Sequence, residues 1–134
     1  MIPSKNNILS TELEVETQPS KDYKLILENN TINGLCDELE AMTQVVYKIL
    51  NTERYQHIIY SHDYGVELQD LFGEPVEYVC PELQRRIEEA LMQDDRITSV
   101  SSFEFDITKK RTVKTTFTVH TIFGDIESEK VVNF

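Results

Sequence analysis

A chain of 134 residues, 40% of them hydrophobic, suffices for one domain with one modest core and argues against a second independent one. Its formal charge of −11 repels polyanions, which disfavours direct binding to nucleic acid, keeps the chain soluble and steers it toward basic surfaces. No apolar run approaches the roughly 20 residues of a membrane span, and the opening stretch MIPSKNNILSTELEVETQ lacks an apolar segment of signal-peptide type. The expected setting is therefore a cytoplasm.

Met1 to Asp22 is polar and carries Pro3 and Pro19, with Glu12, Glu14 and Glu16 alternating with Leu13 and Val15. It reads as an extended arm, 1–22, that orders in a complex. Tyr23 to Glu28 alternates weakly and predicts a strand, Asn29-Asn30 a turn, and Thr31 to Gly34 a short second strand. Leu35 to Leu50 is the clearest helix. Leu35, Leu39, Met42, Val46, Ile49 and Leu50 share one face, the acids Asp37, Glu38 and Glu40 sit early, and Lys48 sits late, as the helix dipole favours. Tyr55 to Tyr60 predicts a strand centred on Ile58 and Ile59. Glu67 to Phe72 predicts a short helix closed by Gly73.

Pro81 suits the first position of a helix, so the next one is expected over Pro81 to Gln93, with Leu83, Ile87 and Leu91 on its apolar face. Ile97 to Ile107 predicts a strand with Phe103, Phe105 and Ile107 on one side and Glu104 and Asp106 on the other. Lys109, Lys110 and Arg111 form a turn. Thr112 to Phe123 is the most β-prone stretch, with Val113, Phe117 and Val119 facing one way. Gly124-Asp125 signals a hairpin, and Ile126 to Phe134 closes a three-stranded antiparallel unit. The expected fold class is α+β, with helices on one face of a mostly antiparallel sheet that ends in this meander, as one domain over 23–134.

Few side chains suggest chemistry. His57, His62, Asp63 and Glu67 match no metal-ligand spacing. Glu74 and Glu77 could serve as a glycosidase pair, but nothing local separates their acidities, as that chemistry requires. Cys80 with one of the three histidines could make a nucleophile–base pair; no local signature supports it, and G-x-S-x-G is absent. Cys36 and Cys80 lack C-x-x-C spacing and read as reduced, packed thiols, although each lies near an expected helix start, where a thiol is acidified. Lys109-Lys110-Arg111 reads as a solvated turn. Asp94-Asp95-Arg96, between a helix and a strand, is the polar cluster that stands out; its plainest reading is a turn favoured by Asp.

The helix EAMTQVVYKILNTER, the corner IIYSHDYG, the helix ELQRRIEEAL and the following DDRI–strand–hairpin, in that order, resemble the small baseplate wedge proteins, or sheath initiators, of contractile phage tails. The resemblance is to the family in its form from prophages and tail-like particles of Gram-positive bacteria. The resemblance covers about four-fifths of the chain. It implies a fold like the strand-exchange domain of a sheath subunit and a structural role without catalysis or cofactor. It implies a place around the tail hub, joining wedge proteins and offering strands to the first ring of sheath subunits. The family's Glu-Pro-Arg, which grips the wedge proteins' helical core bundle, corresponds here to Asp94-Asp95-Arg96, with the arginine kept and the proline missing.

The partners implied are other wedge proteins, sheath subunits, and hub or tube proteins, with no nucleic acid or membrane. Assembly is expected in a host cytoplasm, followed by residence in the tail baseplate. An edge strand leaves backbone N–H and C=O groups for another chain to complete. The candidates for that exchange are the arm Glu12 to Gln18 and the last strand, through Ile126, Glu127, Glu129, Val131 and Val132. Arg96→Ala is expected to leave the monomer folded and to block incorporation into tails. Two other readings stand beside this one: a small peptidoglycan-cleaving hydrolase, and an acidic cytoplasmic adaptor. A lysozyme label attached to some relatives finds no supporting residue in this sequence.

Overall fold

A computed structural model describes residues 19–107 and 109–133. The arm expected over 1–22 lies outside the described residues up to position 18, and Asp22 already belongs to the first strand. The chain forms strands β1 (Asp22–Ile26) and β2 (Thr31–Cys36), helix α1 (Glu38–Leu50), a single 3₁₀ turn (Gln69–Leu71), helix α2 (Val76–Met92), and strands β3 (Ile97–Asp106), β4 (Thr112–Thr121) and β5 (Gly124–Asn133). β1 and β2 pair as an antiparallel hairpin, and β3-β4-β5 form an antiparallel meander. The fold is α+β, as expected. Its core joins α1, α2 and the inner face of the meander, through Met42, Val46, Leu83, Ile87, Val113, Phe117 and Val119 among others.

Four expected elements differ in the structure. α1 begins at Glu38 rather than Leu35, because β2 takes residues up to Cys36 into its pairing with β1 and Asp37 then caps the helix, accepting from the Glu38 N–H at 2.8 Å. Leu35 and Leu39 are consequently exposed, while Met42, Val46, Ile49 and Leu50 are buried as expected. α2 begins five residues before Pro81, with Pro75 as its N-cap, so Pro81 lies inside the helix. A proline there removes one N–H near the start of the helix. Val79, Leu83, Ile87 and Leu91 recur every four residues and are all fully buried, and that stripe offsets the lost bond.

Tyr55 to Tyr60 is not a strand. Among the described residues no strand pairs with it; its backbone bonds are local, such as Tyr60 N–H to the His57 carbonyl at 3.2 Å, and Ile58 and Ile59 face solvent. The expected helix over Glu67 to Phe72 reduces to the 3₁₀ turn, with Gly73 after it at φ +86°.

The meander keeps its expected strands but corrects two details. β3 carries irregularities between Ile97 and Ser99 and between Ser101 and Glu104, where Ser102 adopts φ +59°. Each inserts one residue and reverses the alternation. Ile97, Val100, Phe103 and Phe105 therefore all lean on the core although their spacing is not strictly even, and Ile107 is exposed. The β4–β5 hairpin turns at Ile122-Phe123, with Thr121 opposite Gly124, so Gly124-Asp125 begins β5 instead of forming the turn. The Thr121 hydroxyl holds the turn: it donates to the Gly124 carbonyl at 2.7 Å and accepts from the Phe123 N–H at 3.1 Å.

Val113, Thr115, Phe117, Val119 and Thr121 form the inner face of β4. Thr115 is fully buried, and its hydroxyl has no hydrogen-bond partner among the described residues. An unmet buried hydroxyl costs about 1–3 kcal/mol. Thr115→Val is expected to raise stability by about 1 kcal/mol, seen as a higher urea midpoint at unchanged slope.

Candidate functional site

The corner between α2 and β3 brings Asp94, Asp95 and Arg96 together. The Asp94 carboxylate accepts from the Arg96 guanidinium through both oxygens, Nε to Oδ1 at 2.9 Å and Nη2 to Oδ2 at 2.7 Å, and from the Arg96 backbone N–H at 2.9 Å. Nη1 donates to the Pro19 carbonyl at 3.2 Å. Arg96 is 6% exposed, so its guanidinium is occupied within the chain: it closes the corner and ties down the segment entering β1. Burial pushes the Asp94 carboxyl up, but the hydrogen bonds and charge of Arg96 outweigh it and hold the group below its ordinary value. Asp95 is the exposed member. The corner borders a cleft of about 640 Å³, whose charged lining includes Asp22, Lys48, Asp63 and Asp94. Lys48 bonds Asp22 at 2.9 Å across it.

β5 lies at one edge of the meander and pairs one-to-one with β4 over all ten of its residues. Of the residues named for strand exchange, Ile126 and Val132 point into the core, whereas Glu127, Glu129 and Val131 are exposed. Glu129 also pairs with Lys114 across the sheet at 2.9 Å. The β1–β2 hairpin is a second two-stranded sheet. Thr31 to Leu35 are all exposed, and Tyr23 and Leu27 join Ile32 and Leu35 as large apolar groups open to solvent.

The other candidates separate. His57 and His62 lie on an exposed loop, and among the described residues no group of three His, Cys, Asp or Glu side chains is placed to hold a metal. Glu74 and Glu77 are both exposed. Cys36 closes β2 just before the Asp37 cap of α1, and Cys80 lies within α2; neither thiol is acidified there. Burial, followed by neighbouring carboxylates, pushes both thiols up, away from the reactive thiolate.

One constellation escaped the sequence reading. Ser101 Oγ lies 2.6 Å from His120 Nε2, and His120 Nδ1 lies 2.7 Å from Asp125 Oδ1. With the proton on Nδ1, His120 donates to Asp125 and accepts from Ser101, the order of partners in a hydrolase triad. Here the three residues cross β3, β4 and β5, and a cleft on this sheet is lined by others, including Ser102, Glu104 and Thr116. The arrangement laces three strands together. Its signal was the hairpin register, since a turn at Ile122-Phe123 places His120 opposite Asp125.

Fold and site together define a small α+β subunit whose polar side chains mainly brace its own elements and whose sheets end in strands with one neighbour each among the described residues. The chain belongs to the contractile injection system sheath initiator family, whose model matches residues 12–124. It is similar to the phage-like element PBSX protein XkdS of Bacillus subtilis (strain 168), with 41% identity over 128 residues and 90% of each chain covered. Its role is accordingly structural and concerns the sheath of a phage-tail-like apparatus, in agreement with the resemblance read from the sequence.

Proposed function

We propose that the chain is a baseplate component that joins wedge proteins to the hub or tube and starts the sheath by lending strand edges to its first subunits. The observation that carries this reading is β5, a regular ten-residue strand with one neighbour among the described residues. Such an edge holds a row of backbone donors and acceptors in register for an incoming strand. Glu127, Glu129 and Lys130 place charge along it, which discourages uncontrolled pairing between copies. The β1–β2 hairpin offers further edges. Two strands alone are marginal in water, and the exposed Tyr23, Ile32 and Leu35 suit completion by a partner.

The Asp94-Asp95-Arg96 corner contacts the helical core bundle of the wedge proteins. In this reading Arg96 fixes the shape of the corner and Asp95 presents the carboxylate that meets a basic partner. Assembly takes place in the host cytoplasm, after which the chain resides in the baseplate.

Hydrogen exchange tests the strand reading. Purified sheath subunits added to the protein are expected to slow exchange of β5 or hairpin amides at least ten-fold. Sheath binding that leaves the amides of both sheets exchanging as before would refute strand exchange.

A further inference from the structure

The connection between α1 and the 3₁₀ turn is an Ω-shaped loop with a fixed neck and an apolar tip. The neck is closed by a parallel bridge between Glu53 and Val66, by Arg54 N–H to the Val66 carbonyl at 3.2 Å, and by Val66 N–H to the Thr52 carbonyl at 3.0 Å. Gly65 makes the closure possible: at φ +88°, a Cβ there would lie 2.5 Å from the Thr52 carbonyl oxygen. The Arg54 side chain then clamps the loop from inside. Nε bonds the Gly65 carbonyl at 3.2 Å, Nη2 the Asp63 carbonyl at 3.1 Å, and Nη1 reaches Glu89 of α2 at 2.9 Å. Above the neck, Tyr60 stacks on Tyr64 with ring centres 4.5 Å apart, and His57 meets Tyr60 edge-on at 6.0 Å. Tyr64 in turn packs against the core.

So much bracing would hold a polar turn equally well, yet the tip is apolar. Ile58 is 101% exposed and Ile59 83%, with Tyr55 and Tyr60 also open to solvent. From Tyr55 to His62 there is no Asp, Glu, Lys or Arg, in a chain with 24 acidic and 13 basic residues. A single exposed isoleucine is ordinary. Two adjacent ones on a braced, uncharged tip form a preorganised knob that loses little conformational freedom on docking.

We infer that the Ile58-Ile59 tip is a docking knob that inserts into an uncharged apolar pocket on a different protein subunit of the assembled particle. The inference rests on the chain working inside such a particle and names a contact separate from its strand edges and from the Asp94–Arg96 corner. Charge selects the occupant. The neutral tip is flanked by Glu53 and Arg54 on one side and by Asp63 and Glu67 on the other, and Arg54 is spent on Glu89 within the chain. The chain's net charge of −11 opposes an anionic lipid surface and a second copy of itself, while an uncharged protein pocket meets no such repulsion.

The test places a thiol at the tip. Ile59→Cys is made in a Cys80→Ser background, the other thiol, Cys36, being buried. Maleimide labelling is compared between free protein and isolated particles. Labelling in particles is expected to be at least ten-fold slower. A companion variant, Ile58→Asp with Ile59→Asp, is expected to keep the circular dichroism and melting temperature of the free protein while its incorporation falls at least ten-fold.

Particles that contain the chain but label at the free rate would overturn the knob and leave the assembly reading standing. Absence of the chain from particles would overturn both. Protection of the purified protein that rises with its own concentration would replace the partner with a second copy. Protection by phosphatidylglycerol–phosphatidylcholine vesicles would replace it with lipid. Each of these two results also defeats the inference.

Discussion

Replacing Arg96 by alanine is expected to destabilise the isolated protein by about 3–5 kcal/mol, the cost of leaving a largely buried carboxylate without its cation. The sequence alone led to the expectation of a folded monomer that fails only in assembly; the geometry adds a stability cost to that outcome. The reason is geometric. Arg96 gives both edges of its guanidinium to Asp94 and the Pro19 carbonyl, and it is almost wholly buried, so truncation removes the cation from the largely buried Asp94 carboxylate and releases the exposed Pro19 segment.

Arg96→Lys is expected to recover part of the loss, since an ammonium keeps the charge but not the two-pronged bond. Arg96→Met combined with Asp94→Leu is expected to be closer to wild type than Arg96→Ala alone, because the unpaired charge goes with its partner. Urea denaturation of the single and double variants gives the coupling directly. The pH dependence has a definite sign. The Asp94 carboxyl is held below its ordinary value, so the stability it contributes is complete above the unfolded aspartate value of about 3.9 and is lost as pH falls through the lowered folded value. The gap between wild type and Arg96→Ala should therefore be fully open at pH 7 and narrow in acid. A gap of the same size at both ends of the titration would contradict this account of the corner.

The elements that could be read from the sequence are those whose pattern and environment agree. The face of α1 from Met42 to Leu50, the stripe Leu83–Ile87–Leu91 and the alternation along β4 are repeated patterns of burial, and burial is what holds them. The errors fell where a local signal was outweighed. Pro81 marks a helix start by its own preference, but Val79, just upstream of it, had a core to reach. Ile58 and Ile59 have the composition of a strand, yet Arg54 and Gly65 close the chain into a loop before any edge is within reach; those contacts are set by backbone geometry that composition does not carry. The same holds for the site. The sequence singled out Asp94-Asp95-Arg96 as a cluster, but whether an arginine faces a partner or its own neighbour two residues back depends on the turn that Asp94 builds. The Ser101–His120–Asp125 line depended on a hairpin register shifted by the exact position of the turn.

Phe117→Ala is expected to cost about 3–5 kcal/mol, the range for removing a buried aromatic ring from a core that cannot collapse around it. Phe117 is buried at the centre of β4 and stacks on Phe103 of β3 with ring centres 5.3 Å apart, a contact that adds about 0.5–1.5 kcal/mol beyond the area it hides. The melting temperature should fall by about 10 °C or more. Phe117→Leu, which keeps most of the volume, should cost less than Phe117→Ala and so separate ring stacking from simple filling. The effect should reach the edge that the proposed function uses. β5 is held to β4 by the cross-strand pairs Val119–Ile126 and Val113–Val132 near its two ends, and Phe117 stands opposite Ser128 between them. Removing the ring loosens the middle strand where its partner, Ser128, is small and offers little packing of its own. In Phe117→Ala, β5 amides should exchange faster by a larger factor than those of α1, and its outer edge should lose the rigid register that an incoming strand requires. Uniform acceleration across α1 and β5 would mean that the domain opens as one unit and that Phe117 has no special hold on the edge.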